Sequence, residues 1–298
     1  MATAAISAID VHKHYGQTRA LDGININIDR GQICALLGQN GAGKTTFINT
    51  ALGLTKADRG AMRVLGMDAG SLPARKRIGV MLQDTDLPDL LTAREHIERF
   101  ASYYDAPEST DELIERTDIG DFAHKRYKKL SGGQKRRVQF AVALVGNPDV
   151  LFLDEPTTGL DQDARGAVWA NVRSLADSGT TVILTTHYLE EADALADRIV
   201  VINQGQIIAD DDADRIRARV GGSLITCETA MSDTQLGAMP SVRSVRRNGR
   251  IAQILSEDAA QSLRTLLAED ASVTDLTVSK PSLGEAFTAL TQQSGVLS

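Results

Sequence analysis

A glycine-rich segment gives the clearest chemical signal in the sequence. Residues 38–45 read GQNGAGKT, which fits the pattern GxxxxGK[ST], and they lie between an apolar run and a helical pattern. Glycines let backbone N–H groups turn inward around phosphate oxygens, the lysine reaches the β- and γ-phosphates, and the threonine binds Mg²⁺. A glycine-rich turn could match by chance, but its flanking elements favour a phosphate site. The residues predicted to bind nucleotide here are Gly38, Asn40, Gly41, Gly43, Lys44, Thr45 and Thr46.

An acidic pair follows a second apolar run, Val150–Leu153. Asp154 ends this predicted strand and suits the metal side of a nucleotide-hydrolysing site. Glu155 follows directly, where a second carboxylate can polarise the attacking water. An acidic pair at the end of a strand is usually only solvated, so this interpretation depends on the phosphate loop. Together the two segments predict that Asp154 binds Mg²⁺ and that Glu155 is catalytic.

A third segment, residues 130–135, reads LSGGQK. Ser131 can cap a helix that begins near Gly132, and consecutive glycines let backbone N–H groups approach a phosphate. Taken alone, the segment could be an ordinary turn that opens a helix. In its order and spacing relative to Asp154, however, it resembles the signature motif of the ATP-binding-cassette (ABC) ATPases. The resemblance implies that nucleotide is contacted by Ser131, Gly132, Gly133 and Gln134.

Four single residues extend this resemblance over roughly residues 7–218. Tyr15 lies where the family places an aromatic that stacks on adenine, and Gln83 matches the glutamine that senses Mg²⁺ and the γ-phosphate. Asp161 matches the loop that crosses the dimer interface, and His187 matches the switch histidine that holds the γ-phosphate. Without the resemblance, a lone tyrosine is more often simply half-buried, and a lone histidine is an ordinary surface residue.

The resemblance to ABC ATPases implies a working arrangement. Such proteins bind ATP with Mg²⁺ as head-to-tail pairs, and ATP lies between the phosphate loop of one subunit and the signature helix of the other. The implied catalytic residues are Gln83, Glu155 and His187, and the implied metal ligands are Thr45, Gln83 and Asp154. We therefore expect an ATPase that forms a homodimer and attaches to separately encoded membrane permease subunits.

The membrane subunits of such ATPases dock in a groove near the glutamine loop. Here the segment 84–95, DTDLPDLLTARE, would line that groove, and Leu87, Leu90 and Leu91 are candidate docking residues. The same leucines could instead pack inside the helical part of the domain. Both interpretations stay open at the level of sequence.

The C-terminal tail narrows the class of transporter. Residues 280–287 read KPSLGEAF and resemble the PSLE-x-x-F tail of bacterial ABC-2-type export ATPases, which include the daunorubicin-resistance type and related drug, lipid and polysaccharide exporters. Gly284 stands where that tail usually has glutamate, and Glu285 follows one place later, so the match is partial. An ordinary N-capped amphipathic helix is the alternative interpretation.

Alternating strands and helices are predicted to position the chemical residues. Near-continuous apolar or β-branched runs, such as Ile33–Leu37 and Thr181–Thr185, suit parallel strands buried on both faces. Helical patterns separate these runs, which argues for an α/β fold; the motifs then imply the P-loop NTPase fold of ABC ATPases. We expect an ATP-binding domain over residues 1–220, with a helical subdomain over about 84–146.

The pattern changes after the Gly221-Gly222 linker. Predicted strands and helices over residues 221–298 follow the order β-α-β-β-α-β, which is typical of a small ferredoxin-like α+β unit. Asn248-Gly249 supplies the turn between the two middle strands. A last helix, Leu283–Gln292, is predicted after Pro281. We therefore expect a C-terminal accessory domain over residues 221–298.

Composition limits the classes of protein that these motifs could serve. The chain has 298 residues with 42% hydrophobic and 24% charged side chains, the mixture of a soluble globular protein. No apolar run approaches the roughly eighteen residues that cross a bilayer. Two distant cysteines, Cys34 and Cys227, form no disulfide framework and fit a reducing cytosol. We expect a cytoplasmic protein that is held at the inner face of the cell membrane through its permease.

Export is the favoured function among three that the sequence leaves open. The alternatives are an importer ATPase with a regulatory C-terminal domain, and a soluble ABC ATPase that acts on DNA or the ribosome. Against the second stand a single cassette, the lack of a long coiled-coil insertion, and a net charge of −7. An acidic chain is poorly suited to gripping nucleic acid over a broad surface, so no nucleic-acid partner is expected.

Overall fold

The chain divides into two compact units between Asp211 and Asp212. The computed structural model describes residues 4–83 and 85–295. The division falls before the expected boundary at residue 220, because the helix Ala213–Val220 contacts the C-terminal helix Leu283–Gly295. Within the described residues, no helix combines the length and the apolar character needed to cross a membrane.

The first unit alternates strands and helices along most of its length. Its strands are β1 Ile6–Tyr15, β2 Thr18–Ile28, β3 Ile33–Leu37, β4 Arg59–Val64, β5 Met67–Asp68, β6 Ile78–Met81, β7 Val150–Asp154, β8 Thr181–Thr185, β9 Arg198–Asn203 and β10 Gln206–Asp211. Its helices are α1 Lys44–Ala51, α2 Leu72–Arg75, α3 Ala93–Ala101, α4 Thr110–Arg116, α5 Gly132–Leu144, α6 Gln162–Asp177 and α7 Leu189–Leu195.

A six-stranded sheet in the order β10-β9-β3-β8-β7-β6 forms the centre of the first unit. The strands from β9 to β6 are parallel, and β10 is antiparallel to β9. Every residue of β3, β7 and β8 is buried, which explains their near-continuous apolar sequences. The α/β class predicted from sequence is confirmed. Parallel strands bring their carboxyl ends to one edge, where the phosphate loop, Gln83, Glu155 and His187 follow the strands.

A second sheet, antiparallel and in the order β2-β1-β4-β5, is absent from the sequence predictions. Its apolar residues, including Ile6, Ile24 and Ile28, share a hydrophobic core with Phe47 and Ile48 of α1. The helix that follows the phosphate loop therefore packs in the same core as this sheet. This packing fixes the direction of α1 and so the position of the loop before it.

The segment between β6 and β7 is helical, as predicted. Two of its helices begin with reciprocal caps: Thr92 with Glu95 opens α3, and Ser131 with Gln134 opens α5. The predicted cap at Ser131 is thus present. Between residues 92 and 145, which are all described, the only β-pairing is an isolated bridge from Thr92 to Arg126.

The second unit is a ferredoxin-like sheet with helices. Its elements are α8 Ala213–Val220, β11 Ser223–Glu228, α9 Asp233–Ala238, β12 Val242–Asn248, β13 Ile251–Ser256, α10 Ala259–Glu269, β14 Thr274–Ser279 and α11 Leu283–Gly295. The antiparallel sheet has the order β12-β13-β11-β14, and the helices α9 and α10 contribute Leu236 and Leu266 to the core on one face. The predicted β-α-β-β-α-β order is therefore confirmed. Gly249 has φ +60° in the tight turn between β12 and β13.

Candidate nucleotide site

A cleft of about 700 Å³ opens where the strands β3, β6, β7 and β8 end. Because these strands are parallel neighbours, the residues that follow them meet at one edge of the sheet. The lining residues are Asn40, Gly41, Gly43, Lys44, Thr45, Thr46, Gln83, Asp154, Glu155, Thr158 and His187. Sequence motifs from four separate segments thus come together in one concave site.

The phosphate loop requires glycine at two close approaches. A Cβ atom on Gly43 would lie 2.4 Å from the carbonyl oxygen of Ala20, and one on Gly38 would lie 2.5 Å from that of Ile202. Gly43 also has φ +115°, in a region that favours glycine. It precedes Lys44 at the start of α1, and no side chain caps that end of the helix. The first N–H groups of α1 therefore remain available for an anion.

Lys44 supplies a cation at the floor of the cleft. Its Nζ donates to the carbonyl oxygens of Gly38 at 2.7 Å and of Gln39 at 3.1 Å. Burial lowers the pKa of this ammonium, and the charges of Glu155 and Asp154 act in the opposite direction. The lysine lies folded along its own loop and faces two carboxylates.

Asp154 is held in place by the neighbouring strand. The residue is 4% exposed at the end of β7, and its carboxylate accepts a hydrogen bond from the Thr185 hydroxyl. Asp154 and Thr185 are paired in the parallel ladder between β7 and β8, so the contact follows from strand register. A buried carboxylate with one protein donor keeps lone pairs free for a further ligand.

Glu155 brings the three predicted catalytic residues together. Its Oε2 lies 3.2 Å from the Gln83 Nε2 donor and 3.3 Å from the Thr158 hydroxyl, and its Oε1 lies 3.2 Å from His187 Nδ1. The backbone of Glu155 is left-handed, with φ +52°. This turn directs the carboxylate away from the buried strand and into the cleft. Thr158 was not predicted, and its position three residues after Glu155 was the signal available.

Gly38 belongs to the phosphate loop but does not line the cleft, and six further predicted nucleotide residues also lie outside it. Tyr15 is 51% exposed at the end of β1, with Lys13 Nζ 5.5 Å from its ring centre. Asp161 caps α6 by accepting from the Ala164 N–H at 2.8 Å. The other four are the signature residues Ser131, Gly132, Gly133 and Gln134, which form the start of α5. Within a single chain, these groups are separate from the phosphate loop.

The candidate docking leucines differ in their environments. Leu90 is 69% exposed, whereas Leu87 is buried and Leu91 is half-buried. The first residue of the predicted docking segment, residue 84, lies outside the described residues. Of the three leucines, Leu90 has the exposure that docking requires, and Leu87 packs within the domain.

Comparisons with known proteins identify the family of this chain. A family model described as ABC transporter matches residues 21–158. Daunorubicin resistance ATP-binding protein DrrA3 of Streptomyces coeruleorubidus is 39% identical over 98% of this chain and 97% of its own length. Nod factor export ATP-binding protein I of Burkholderia thailandensis is 42% identical over 70% of this chain and 71% of its own length.

Solved structures give the same result for the fold. The structure of an ATP-binding subunit of an ABC transporter is 27% identical, with a TM-score of 0.67 over 72% of this chain and 93% of that one. A dimeric cassette bound to ADP and Pi is also 27% identical, with a TM-score of 0.63 over 70% of this chain and 98% of that one. Family, relatives and fold agree with a cleft built for nucleotide phosphates. The chain belongs to the ABC transporter family as an ATP-hydrolysing, ATP-binding subunit of the exporter type.

Proposed function

We propose that two copies of this chain bind and hydrolyse Mg·ATP and thereby drive a separately encoded ABC-2-type membrane permease. The observation that carries the proposal is the convergence of Gln83, Glu155 and His187 on a cleft floored by Lys44. Phosphate binding needs the loop and the cation, and hydrolysis needs a base that faces the γ-phosphate. Both are present at one edge of the sheet.

The residues of the cleft fit a magnesium ion that is shared with phosphates. Thr45, Gln83 and Asp154 offer hydroxyl, amide and carboxylate oxygens, which are the ligands that Mg²⁺ prefers. Among the described residues, no group of three or more His, Cys, Asp or Glu side chains could hold a metal alone. Mg²⁺ commonly takes one or two protein groups together with substrate phosphates, and it neutralises charge on the β- and γ-oxygens.

We assign the proton transfer to Glu155. Its carboxylate is 15% exposed and already contacts one amide donor and one histidine, so it is oriented before substrate arrives. It accepts the proton of the attacking water, and Gln83 and His187 flank it where the γ-phosphate would lie. Lys44 leaves its own loop carbonyls to bind the β- and γ-phosphates.

The separation of the signature residues from the phosphate loop supports a homodimer. Ser131, Gly132, Gly133 and Gln134 form the exposed or half-exposed start of α5, outside the cleft. In a head-to-tail pair, they meet the nucleotide in the cleft of the other subunit. Asp161 then lies on the shared interface, and the exposed Tyr15 ring is free to stack on adenine.

An apolar groove supports docking to a membrane protein. It has a volume of about 300 Å³ and is lined by Leu52, Leu54, Arg75, Ile78 and Val80. Leu54 is 62% exposed, and β6 at its wall leads directly to Gln83. A permease element seated here would act on the cleft through one short strand. We place the chain at the inner face of the cell membrane by this contact.

We propose that residues 1–220 and 221–298 divide the work, with ATP chemistry in the first and an accessory role in the second. The tail motif of the exporters starts α11, where Ser282 and Glu285 exchange hydrogen bonds as a reciprocal cap. The glycine at position 284 therefore does not prevent capping, because Glu285 supplies the capping carboxylate. The relatives compared above are named for drug resistance or export, which favours export over import or nucleic-acid functions.

Copurification with the membrane protein encoded beside this chain, followed by ATPase measurement, tests the proposal. We expect a six-span membrane protein to copurify and Mg²⁺-dependent phosphate release to depend on Glu155. A neighbouring periplasmic binding protein that stimulates turnover would instead indicate import. Stimulation by DNA or ribosomes, with no membrane protein retained, would overturn the assignment.

A further inference from the structure

Arg136 connects the signature helix to the backbone beside two catalytic residues. It lies on α5, and its Nη1 donates to the carbonyl oxygen of Leu82 at 3.2 Å. Its Nη2 donates to the carbonyl oxygen of Glu155, also at 3.2 Å. Leu82 directly precedes Gln83, so one planar guanidinium spans the two segments whose side chains meet in the cleft. None of the sequence motifs indicated this residue.

The orientation of Arg136 is itself fixed by a neighbour. Gln139 lies three residues later on the same helix, and its Oε1 accepts from Arg136 Nη1 at 3.1 Å. The amide Nε2 of Gln139 donates to the carbonyl oxygen of Thr85 at 2.5 Å and to the Tyr127 hydroxyl at 2.8 Å. The helix α5 therefore contacts the chain on both sides of Gln83, at Leu82 and at Thr85.

The contact with Glu155 falls at a strained point of the backbone. A left-handed residue other than glycine persists only where the surroundings hold it, and Glu155 has φ +52°. Its N–H donates to the Thr185 carbonyl at 3.0 Å, and its carbonyl accepts from the Thr158 N–H at 3.3 Å. Both partners belong to the sheet or to the loop after it. Arg136 adds a bond from the helical segment to the same carbonyl, with a charged donor.

We infer that Arg136 is a positioning residue that keeps Gln83 and Glu155 in register with the signature helix of the same subunit. The inference rests on the proposed function and deepens it. A rigid fork bonded to two carbonyls fixes their separation, and a shift of α5 moves both segments together. Because the start of α5 would meet the nucleotide of the other subunit, Arg136 makes the geometry of one cleft depend on the occupancy of the other.

Replacing Arg136 by glutamine in the full-length chain tests the inference. The amide is too short to span the two carbonyls and carries no charge. We expect kcat for ATP to fall by about tenfold or more, since a misplacement of about 1 Å at a reacting group can cost about a hundredfold. The dissociation constant for a fluorescent ATP analogue should stay near that of the wild type, because Arg136 does not line the cleft.

Arg137→Gln is the matched control. Arg137 is the next residue on α5, and it contacts the carbonyl and the carboxylate of Asp118. Among the described residues, it forms no hydrogen bond to Leu82 or Glu155, so its loss tests the general effect of removing a charge from this helix. We expect its kcat to stay close to the wild-type value. Arg136→Lys, whose compact ammonium can reach one carbonyl, should give a kcat between those of Arg136→Gln and the wild type.

The possible outcomes separate the inference from the function on which it rests. Equal kcat values for Arg136→Gln and Arg137→Gln would overturn the positioning role. So would a parallel loss of kcat, nucleotide affinity and melting temperature in Arg136→Gln, because it would show a role in folding alone. A wild-type chain with no ATPase activity would overturn the proposed function instead. A selective fall in kcat with partial recovery in Arg136→Lys supports the inference.

Discussion

Buried polar side chains have different partners in the two units of the molecule. In the first unit, the buried Asp154 and Thr185 bond to each other at the edge of the cleft, next to Glu155. In the second unit, the buried Asp270 accepts from the Thr229 hydroxyl at 2.5 Å and from the Ala230 N–H at 2.8 Å. The Asp154 carboxylate keeps lone pairs that can accept further hydrogen bonds or a ligand at the open cleft. The Asp270 carboxylate instead accepts bonds from its neighbours and so stabilises a turn.

The difference teaches where to look for chemistry and where to look for stability. Burying a polar group is costly unless it finds partners, so a buried carboxylate with spare acceptors beside a cleft points to a ligand. A buried carboxylate saturated by local donors points to the fold.

The largest effect on turnover is expected for Lys44→Ala. The change removes the cation that can reach the β- and γ-phosphates, so ATP binding should weaken and hydrolysis should be lost. Phosphate release and the affinity for a fluorescent ATP analogue measure the two effects. Lys76→Ala removes a lysine that pairs with Asp105 outside the cleft, and it serves as the control. Turnover within a few-fold of the wild type in Lys44→Ala would place the nucleotide elsewhere.

Glu155→Gln should separate binding from hydrolysis. The amide has nearly the same shape but cannot accept the proton of water, so hydrolysis should fall by about 10²–10⁴-fold while ATP binding persists. The ATP-bound chain should then accumulate as a dimer, which size-exclusion chromatography with light scattering detects, and it should dissociate in ADP. Hydrolysis near the wild-type rate would show that Glu155 is not the base, whether or not a dimer forms.

Much of the cleft could be predicted from sequence because its residues follow strand ends. Gln83, Asp154 and His187 come just after or at the ends of apolar runs, and parallel strands place such ends side by side. The hydrogen bonds from Arg136 to the carbonyl oxygens of Leu82 and Glu155 could not be predicted from sequence. The partners of a long side chain depend on how its helix packs against the rest of the domain. The sheet containing β1 and β2 was missed because polar residues such as His12 and Lys13 are half-buried there and obscure the alternation.

The position of the division between the two units, between Asp211 and Asp212, also could not be predicted from sequence. Two glycines at 221 and 222 marked a linker, but α8, which precedes them, contacts α11 at the far end of the chain. We therefore expect a chain ending at Asp211 to aggregate less and to melt at a higher temperature than one ending at Arg219. The longer fragment keeps α8 without α11. Because α8 carries the fully buried Ile216, any exposure of that side chain would cost up to about 1.5–3 kcal/mol.

Both truncated chains should retain nucleotide binding and most of the ATPase activity of the isolated subunit, because every residue lining the cleft precedes Asp211. Light scattering and thermal melting compare the two fragments. A fragment 1–211 that is folded but has no affinity for ATP would contradict the assignment of nucleotide binding to the first unit alone. It would show that the second unit is needed to form the nucleotide site.

The smallest effect on turnover is expected for Asp270→Asn in the second unit. Hydrogen bonds from the Ser272 hydroxyl and N–H, the Thr229 hydroxyl and the Ala230 N–H hold the pKa of Asp270 far below its ordinary value of 3.8. A depressed pKa means that the charged form is stabilised by folding. The contribution is therefore fully present above pH 3.8, and it is lost as the pH falls below that value towards the folded-state pKa.

Asparagine keeps one acceptor oxygen but places two N–H donors where the carboxylate accepted bonds, so the turn between α10 and β14 should loosen at pH 7. Hydrogen exchange measured on peptides around Ala230 and Ser272 should show faster opening in Asp270→Asn than in the wild type. The gap between the two proteins should narrow as the pH falls below 3.8, because the wild-type carboxylate then takes up its own proton. ATPase activity at pH 7 should be unchanged. A folded Asp270→Asn protein with strongly reduced turnover would mean that this turn is coupled to the nucleotide cleft, and the contrast between a reactive and a structural buried carboxylate would no longer hold.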